Sequence, residues 1–240
     1  MANSTDFVTL AGGKMYIDPY KDGKPSGKWQ YFGLTTAPQV SIEIETLEHI
    51  NTEGPTQAVD KTIVQKQSGF ISWTSDEMSP AMLSRAFYGE VIELDTTKTL
   101  SFTDLKAGDF INLDTTGGDL DAGALVEDED YKFDAKRGMV EILKDTPEAE
   151  FSVSGANVAQ AVEAFRKTKL EAALMFVGES ATGSAIKTEF FKCSIRQDGE
   201  FALKSDEWMS IGFSADILKD ETKDPNLGSQ FFKLTLLGTN

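Results

Sequence analysis

Val40-Ser41-Ile42-Glu43-Ile44-Glu45 decides the fold of this chain, because apolar and polar residues alternate at every position. Successive side chains of a β-strand point to opposite faces, so this period of two predicts a strand with one apolar and one acidic face. We expect Val40, Ile42 and Ile44 to pack against the protein's own core. We expect Ser41, Glu43 and Glu45 to face water.

A return strand is predicted at residues 61–74, after a polar segment at residues 48–57. The two strands then form a long antiparallel hairpin whose connecting loop is too long for a tight turn. Long loops on rigid sheets commonly make contacts with a partner. The alternation slips within the return strand, and Gly69 is the expected bulge, since glycine inside a strand often marks one.

The remaining sequence predicts a mainly β protein with one flanking α-helix. Ser79 can cap a helix, Pro80 suits its first position and Gly89 can end it. Ten or more short apolar runs bounded by turn residues indicate an antiparallel β-sandwich or barrel. Residues 156–167 also fit a short helix. Since no Pro/Ser/Gly-rich linker divides the chain, residues 1–240 are expected to form a single domain.

Composition limits the classes of function. The 240 residues carry a net charge of −16, which argues against direct DNA binding because phosphate contacts need clustered Lys and Arg. No run of 18 apolar residues predicts a membrane span. The first residues lack the pattern of a signal peptide, and the single Cys193 fits folding in a reducing cytoplasm.

The residues that usually perform catalysis are few. The only histidine, His49, falls in the predicted loop, and Cys193 lies on the apolar phase of a strand, where an inert thiol is expected. The acidic glycine-containing segment 114–121 lacks the spacing of an EF-hand. The sequence therefore predicts no catalytic residue, no cofactor site and no metal site, and it argues against an enzyme.

The order of short motifs resembles the major tail tube proteins of tailed bacteriophages. The resemblance extends over nearly the whole chain, and it depends on the order of the motifs more than on any one of them. They are Trp29-x-Tyr31-Phe32-Gly33, Val40-Ser41-Ile42-Glu43, the segment 48–55, Ser68-Gly69-Phe70-Ile71-Ser72-Trp73, the helix that starts at Ser79-Pro80, Asp130-Tyr131-x-x-Asp134, and Cys193-Ser194-Ile195-x-x-Asp198-Gly199 followed by Asp206-Glu207-Trp208.

The resemblance implies two packed antiparallel sheets in each subunit and six subunits in each ring. Stacked rings would form a virion tail tube, assembled in the cytoplasm of the host bacterium. The lumen would hold the tape-measure protein and conduct DNA during genome ejection, without specific DNA binding. The tail terminator and the baseplate or tip proteins would be further partners, and no membrane would be involved. The chain is longer than the smallest tube proteins, and the extra residues are expected around 145–190.

The resemblance also assigns roles to residues of the hairpin. Ser41, Glu43 and Glu45 are expected to face the lumen. The candidates for contacts between stacked rings are Glu48, His49, Asn51, Thr52, Glu53 and Pro55. Two other interpretations stay open: the tube protein of a phage-derived injection or secretion system, and a monomeric β-sandwich module that binds carbohydrate.

Overall fold

The computed structural model describes residues 10–51, 58–182, 184–204 and 206–237. Antiparallel strands dominate this part of the chain, and it contains a single short helix, so the expected mainly β fold with one helix is confirmed. In chain order the elements are β1 (Leu10–Lys21), β2 (Lys24–Pro25), β3 (Gln30–Tyr31), β4 (Thr35–Asn51), β5 (Ala58–Ser75), α1 (Pro80–Ala86), β6 (Glu90–Glu93), β7 (Lys98–Leu105), β8 (Phe110–Asn112), β9 (Asp119–Asp121), β10 (Tyr131–Asp134), β11 (Met139–Ile142), β12 (Thr146–Ser154), β13 (Gln160–Glu163), β14 (Leu170–Thr182), β15 (Ala185–Asp198), β16 (Ile211–Leu218) and β17 (Phe232–Leu237).

The chain divides into two compact units. The first unit combines residues 1–89 with residues 164–240, and the second consists of residues 90–163. This differs from the single domain expected over residues 1–240. The inserted unit begins well before the region 145–190 and overlaps it only over residues 145–163, and the second half of that region instead supplies β14 and the first part of β15 to the sheet of the first unit.

A nine-stranded sheet forms the first unit, with the strand order β2-β1-β14-β15-β16-β5-β4. Strand β17 pairs with β15 beside β16, and β3 pairs with β1. One face of this sheet carries the core, because the alternate residues of its central strands are apolar and buried. The largest fully buried side chains there are Met15, Ile17, Phe32, Ile71, Met82, Leu174, Phe190, Ile195 and Phe213.

Helix α1 forms where the sequence predicts it. The Ser79 hydroxyl caps the helix by accepting a hydrogen bond from the Met82 N–H at 3.3 Å. Met82 and Ala86 are buried in the core of the first unit. Arg85 fixes the segment around Phe32, because its guanidinium donates a hydrogen bond to the Phe32 carbonyl at 3.0 Å and lies 5.1 Å from the centre of the Phe32 ring.

The second unit contains two three-stranded antiparallel sheets, β10-β11-β8 and β7-β12-β9, and the pair β13-β6. Its core is separate from that of the first unit and includes Leu113, Val140, Ile142 and Phe151. The helix considered for residues 156–167 is wrong, since residues 160–163 form β13 and pair with β6. Their apolar residues take part in this β pairing instead of lining one side of a helix.

Candidate assembly surfaces

Strands β4 and β5 form an arm that continues beyond the neighbouring strand of the sheet. The two strands pair with each other from Thr35 and Ser75 as far as Asn51 and Ala58. Strand β16, however, pairs with β5 only between Phe70 and Ser75. Residues 58–69 and their partners on β4 are therefore a two-stranded extension, which we call the arm.

The apolar side of the arm continues the core face of the sheet. Val40 lies directly opposite Ile71, so the two side chains share one face. Ile71 is buried at 1% exposure, whereas Val40 is 45% exposed. Further out, this face presents Ile42, Ile44, Ile50, Val59 and Val64, all of which are about half exposed. We call these six exposed residues, including Val40, the apolar arm face.

The expectation that Val40, Ile42 and Ile44 pack against the subunit's own core is therefore wrong. Their alternation does place them on the core face, but the core ends at the level of Ile71 and the strands do not. Exposed apolar residues scattered singly are ordinary, but a group of them marks an interaction surface. Val40, Ile42, Ile44 and Val64 form such a group, and the polar pair of Glu48 and Thr62 separates it from Ile50 and Val59. The apolar arm face is the first candidate for an assembly surface.

On the opposite side of the hairpin, Ser41, Glu43 and Glu45 are exposed as expected, and the half-exposed Leu47 and Ile63 lie opposite each other farther out on that side. From Glu45 inward, the same face continues across β5, β16 and the end of β15, and we call this inner part the polar face. Its residues are Gln39, Ser41, Glu43, Glu45, Lys66, Ser68, Phe70, Ser72, Thr74, Gly212, Ser214, Asp216, Ser194, Arg196 and Asp198.

Both cations among these polar-face residues are held by carboxylates. The Lys66 ammonium lies 3.9 Å from the Glu45 carboxylate, and Arg196 forms an ion pair with Asp216. The hydrogen bond to Asp216 raises the pKa of Arg196 further above its usual value. With four carboxylates against two cations, these residues carry a net charge of −2 and offer little attraction to phosphate.

The predicted loop between the hairpin strands begins later than expected. Glu48 lies opposite Thr62, His49 opposite Lys61, and Asn51 opposite Ala58, so these three candidates belong to paired strands. Thr52, Glu53 and Pro55 lie outside the described residues.

The bulge that disturbs the alternation of the return strand is not at Gly69, which pairs normally with Ile42. The register shifts between Glu45 and Thr46, and the extra residue on β5 is Gln65.

The Cys193 thiol and the acidic segment 114–121 were the candidates for a reactive group and for a metal site. Cys193 is fully buried, and burial raises the pKa of its thiol to about 12, so the nucleophilic thiolate is suppressed. In the acidic segment 114–121, the Asp114 carboxylate accepts from the Lys98 ammonium at 2.7 Å and from the Asn112 amide at 2.7 Å. Within the described ranges, no group of three or more His, Cys, Asp or Glu side chains is placed to hold a metal ion. The one helix found there is too short to cross a bilayer.

Two surface features were missed by the sequence reasoning. A groove of about 240 Å³ lies at the base of the arm and is lined by Ile42, Ile44, Ile217, Phe231 and Phe232, with Gln67, Ser68, Gly69 and Ser229 completing its wall. Trp208, between β15 and β16, is 98% exposed. Trp208 stands out in the sequence because two acidic residues precede it, but nothing in that pattern indicates whether the ring is covered.

Fold and surfaces together define a mainly antiparallel β protein with a projecting hairpin. The chain belongs to the family described as "Protein of unknown function UCP028589", whose match extends over residues 8–235. No curated protein matches the chain significantly.

Proposed function

We propose that this protein is the major tube subunit of a phage tail, which assembles through the apolar arm face and lines the lumen with the polar face. The observation that carries this proposal is the continuation of the core face from Ile71 to Val40 and on to Val59 and Val64 without cover from the subunit. A subunit that works alone gains nothing from these exposed Val and Ile side chains. A subunit that works in an assembly stabilises its contacts by burying them.

The polar face supports a role for this surface next to moving DNA. Unpaired Lys and Arg side chains would bind phosphates and slow the passage of DNA. Cations that are ion-paired among carboxylates attract phosphates little, and the surplus carboxylates repel them. Lys66 and Arg196 are paired in this way, and Glu43 adds a further exposed carboxylate. Ser41, Glu43 and Glu45 are accordingly the residues that we assign to the lumen.

The proposed assembly is a stack of hexameric rings in the virion tail, formed in the host cytoplasm. It would enclose the tape-measure protein and meet a terminator at one end and baseplate or tip proteins at the other. The same surfaces would also serve a tube that passes protein cargo in a phage-derived injection system. A carbohydrate-binding module would have to hold its ligand on exposed aromatic rings such as Trp208 and Phe165, because the uncovered arm face is aliphatic.

The purified protein tests this proposal. We expect rings or tubes by negative-stain electron microscopy, and a concentration-dependent increase in mass by light scattering, without added nucleotide, metal or cofactor. A protein that stays monomeric at high concentration after long incubation would contradict the proposal. Rings that form but never stack would support self-assembly and contradict the tube.

A further inference from the structure

Trp208 is an exposed aromatic side chain without cover from its own subunit. It lies in the connection between β15, which ends at Asp198, and β16, which begins at Ile211. At 98% exposure, nearly the whole indole ring meets water. Trp residues bury roughly 150–250 Å² when they are covered, and they dominate the energetic centres of protein interfaces. Phe201, from the same connection, instead packs 5.5 Å from the ring of Phe87.

The groove at the base of the arm has the size and chemistry to hold such a ring. Ile42 and Ile44, which are 59% and 56% exposed, form one apolar wall, and Ile217 and Phe232 contribute to the rest of the lining. Its volume of about 240 Å³ is sufficient for one indole ring but not for a folded segment. The Gln67 amide oxygen at its wall can accept a hydrogen bond from an indole N–H, whereas the Ser229 hydroxyl already accepts from the Phe231 N–H at 3.1 Å.

The tryptophan and the groove lie at opposite ends of the same strand. Trp208 precedes the first residue of β16, whereas Ile217 is the last residue but one. Six strand residues separate Ile211 from Ile217, which corresponds to about 20 Å at a rise of ~3.3 Å per residue. Trp208 therefore does not reach the groove of its own subunit, but Trp208 of another copy can.

We propose that Trp208 of one subunit inserts into the groove formed by Ile42, Ile44, Ile217 and Phe232 of a second copy of this chain. The contact joins two different patches, so it is head-to-tail, and repetition of such a contact generates closed rings or open filaments. This inference rests on the proposed self-assembly and names one contact within it. It adds an aromatic anchor to the aliphatic arm face.

Tryptophan fluorescence tests the insertion directly. Trp73 is buried within the subunit and Trp29 is partly exposed, so a Trp29→Phe variant leaves Trp208 as the one exposed indole among the three tryptophans. We expect its emission to shift to shorter wavelength, and quenching by acrylamide to decrease, when the protein passes from subunit to assembly. If the assembled protein retains the emission and quenching of the free subunit, the insertion is wrong, while the tube proposal stands.

Substitutions test the pairing of ring and groove. Trp208→Ala and Ile44→Asp should each raise the concentration needed for assembly about tenfold or more, as for an interface anchor, and Trp208→Phe should recover part of the loss. The double variant should be little worse than the more damaging single variant, because the two changes remove the same contact. Leu203→Ala, in the same connection and 87% exposed, is the matched control and should assemble as the wild type does.

The outcomes separate the two proposals. If the increase in the assembly concentration of the double variant equals the product of the two single increases, Trp208 and Ile44 serve different contacts, and the proposed insertion is wrong. A fully assembling Trp208→Ala variant would overturn it too. A wild type that never self-associates would instead overturn the proposed function, and the insertion with it. Circular dichroism and melting of each free subunit should match the wild type, since changes at exposed positions seldom affect stability.

Discussion

Replacing the outer residues of the apolar arm face by threonine should prevent assembly and leave the subunit folded. The triple change Ile50→Thr, Val59→Thr and Val64→Thr keeps β-branched side chains, which suit a strand. Each wild-type side chain is about half exposed in the subunit. Full burial of such a side chain stabilises by about 1.5–3 kcal/mol, so about half of that remains to be gained on assembly. The three positions together contribute about 2–4 kcal/mol per contact, and threonine forfeits most of it because its hydroxyl must lose water.

That loss corresponds to a decrease of roughly 30- to 700-fold in the association constant for each contact. Analytical ultracentrifugation over a wide range of concentration measures this change, and thermal melting of the free subunit measures the fold. Ile71→Thr is the matched control: it lies on the same face but is buried, so it should cost about 2–4 kcal/mol of subunit stability. The reasoning is refuted if the triple variant assembles at the wild-type concentration, or if its subunit melts as early as Ile71→Thr.

Three further predictions concern the polar face, the buried thiol and one glycine. Glu43→Lys with Glu45→Lys should change the net charge of the polar-face residues from −2 to +2 and release Lys66 from its partner. Tubes should still form, but they should bind DNA in a salt-dependent way, whereas tubes of the matched Glu→Gln double variant should not. Equal retention of DNA by the two double variants in a filter assay would argue against a lumen position. Burial raises the pKa of Cys193 to about 12, so the folded state favours the protonated thiol, and the contribution of this thiol to stability is complete below about pH 8.5 and is lost as the pH rises toward 12. Chemical denaturation should show that the free energy of unfolding declines more steeply over that range for the wild type than for Cys193→Ala. Native protein should resist alkylation at pH 8. Gly138 and Gly123 have similar φ angles of 64° and 63°, but a Cβ at Gly138 would overlap the Thr115 carbonyl oxygen, whereas Gly123 has open space around it. Gly138→Ala should therefore destabilise the second unit by at least about 2 kcal/mol more than Gly123→Ala. Similar melting curves for the two variants would contradict this.

Local chemistry predicted the individual elements well. Ser79 and Pro80 identified the start of α1 because capping and a fixed proline φ act within one turn. The alternation from Val40 to Glu45 correctly separated the apolar face from the acidic face, since that follows from strand geometry alone. Whether anything covers the apolar face depends on where the other strands end, and no residue of β4 carries that information.

The failures have a similar cause. Gly69 suggested a bulge, but glycine there permits a close approach, because a Cβ would lie 3.1 Å from the Ser41 carbonyl oxygen. The bulge at Gln65 has no special residue to announce it. The second unit was not recognised because its boundaries at residues 90 and 163 are ordinary strand residues and not a flexible linker. The groove collects Ile42, Ile217 and Phe231 from distant parts of the chain, so only the fold brings them together.

The pairing of β6 with β13 makes the second unit replaceable. Glu90, its first residue, lies directly opposite Glu163, its last, so the chain leaves and returns at one point. On the side of the first unit, the Phe165 N–H bonds to the Phe87 carbonyl at 2.9 Å and the Lys167 N–H bonds to the Tyr88 carbonyl at 2.8 Å, which holds the two cut ends together without the insert. A short hairpin turn is enough to join ends so placed. Deletion of this unit, or its replacement by a foreign domain for display, would therefore require no rethreading of the nine-stranded sheet.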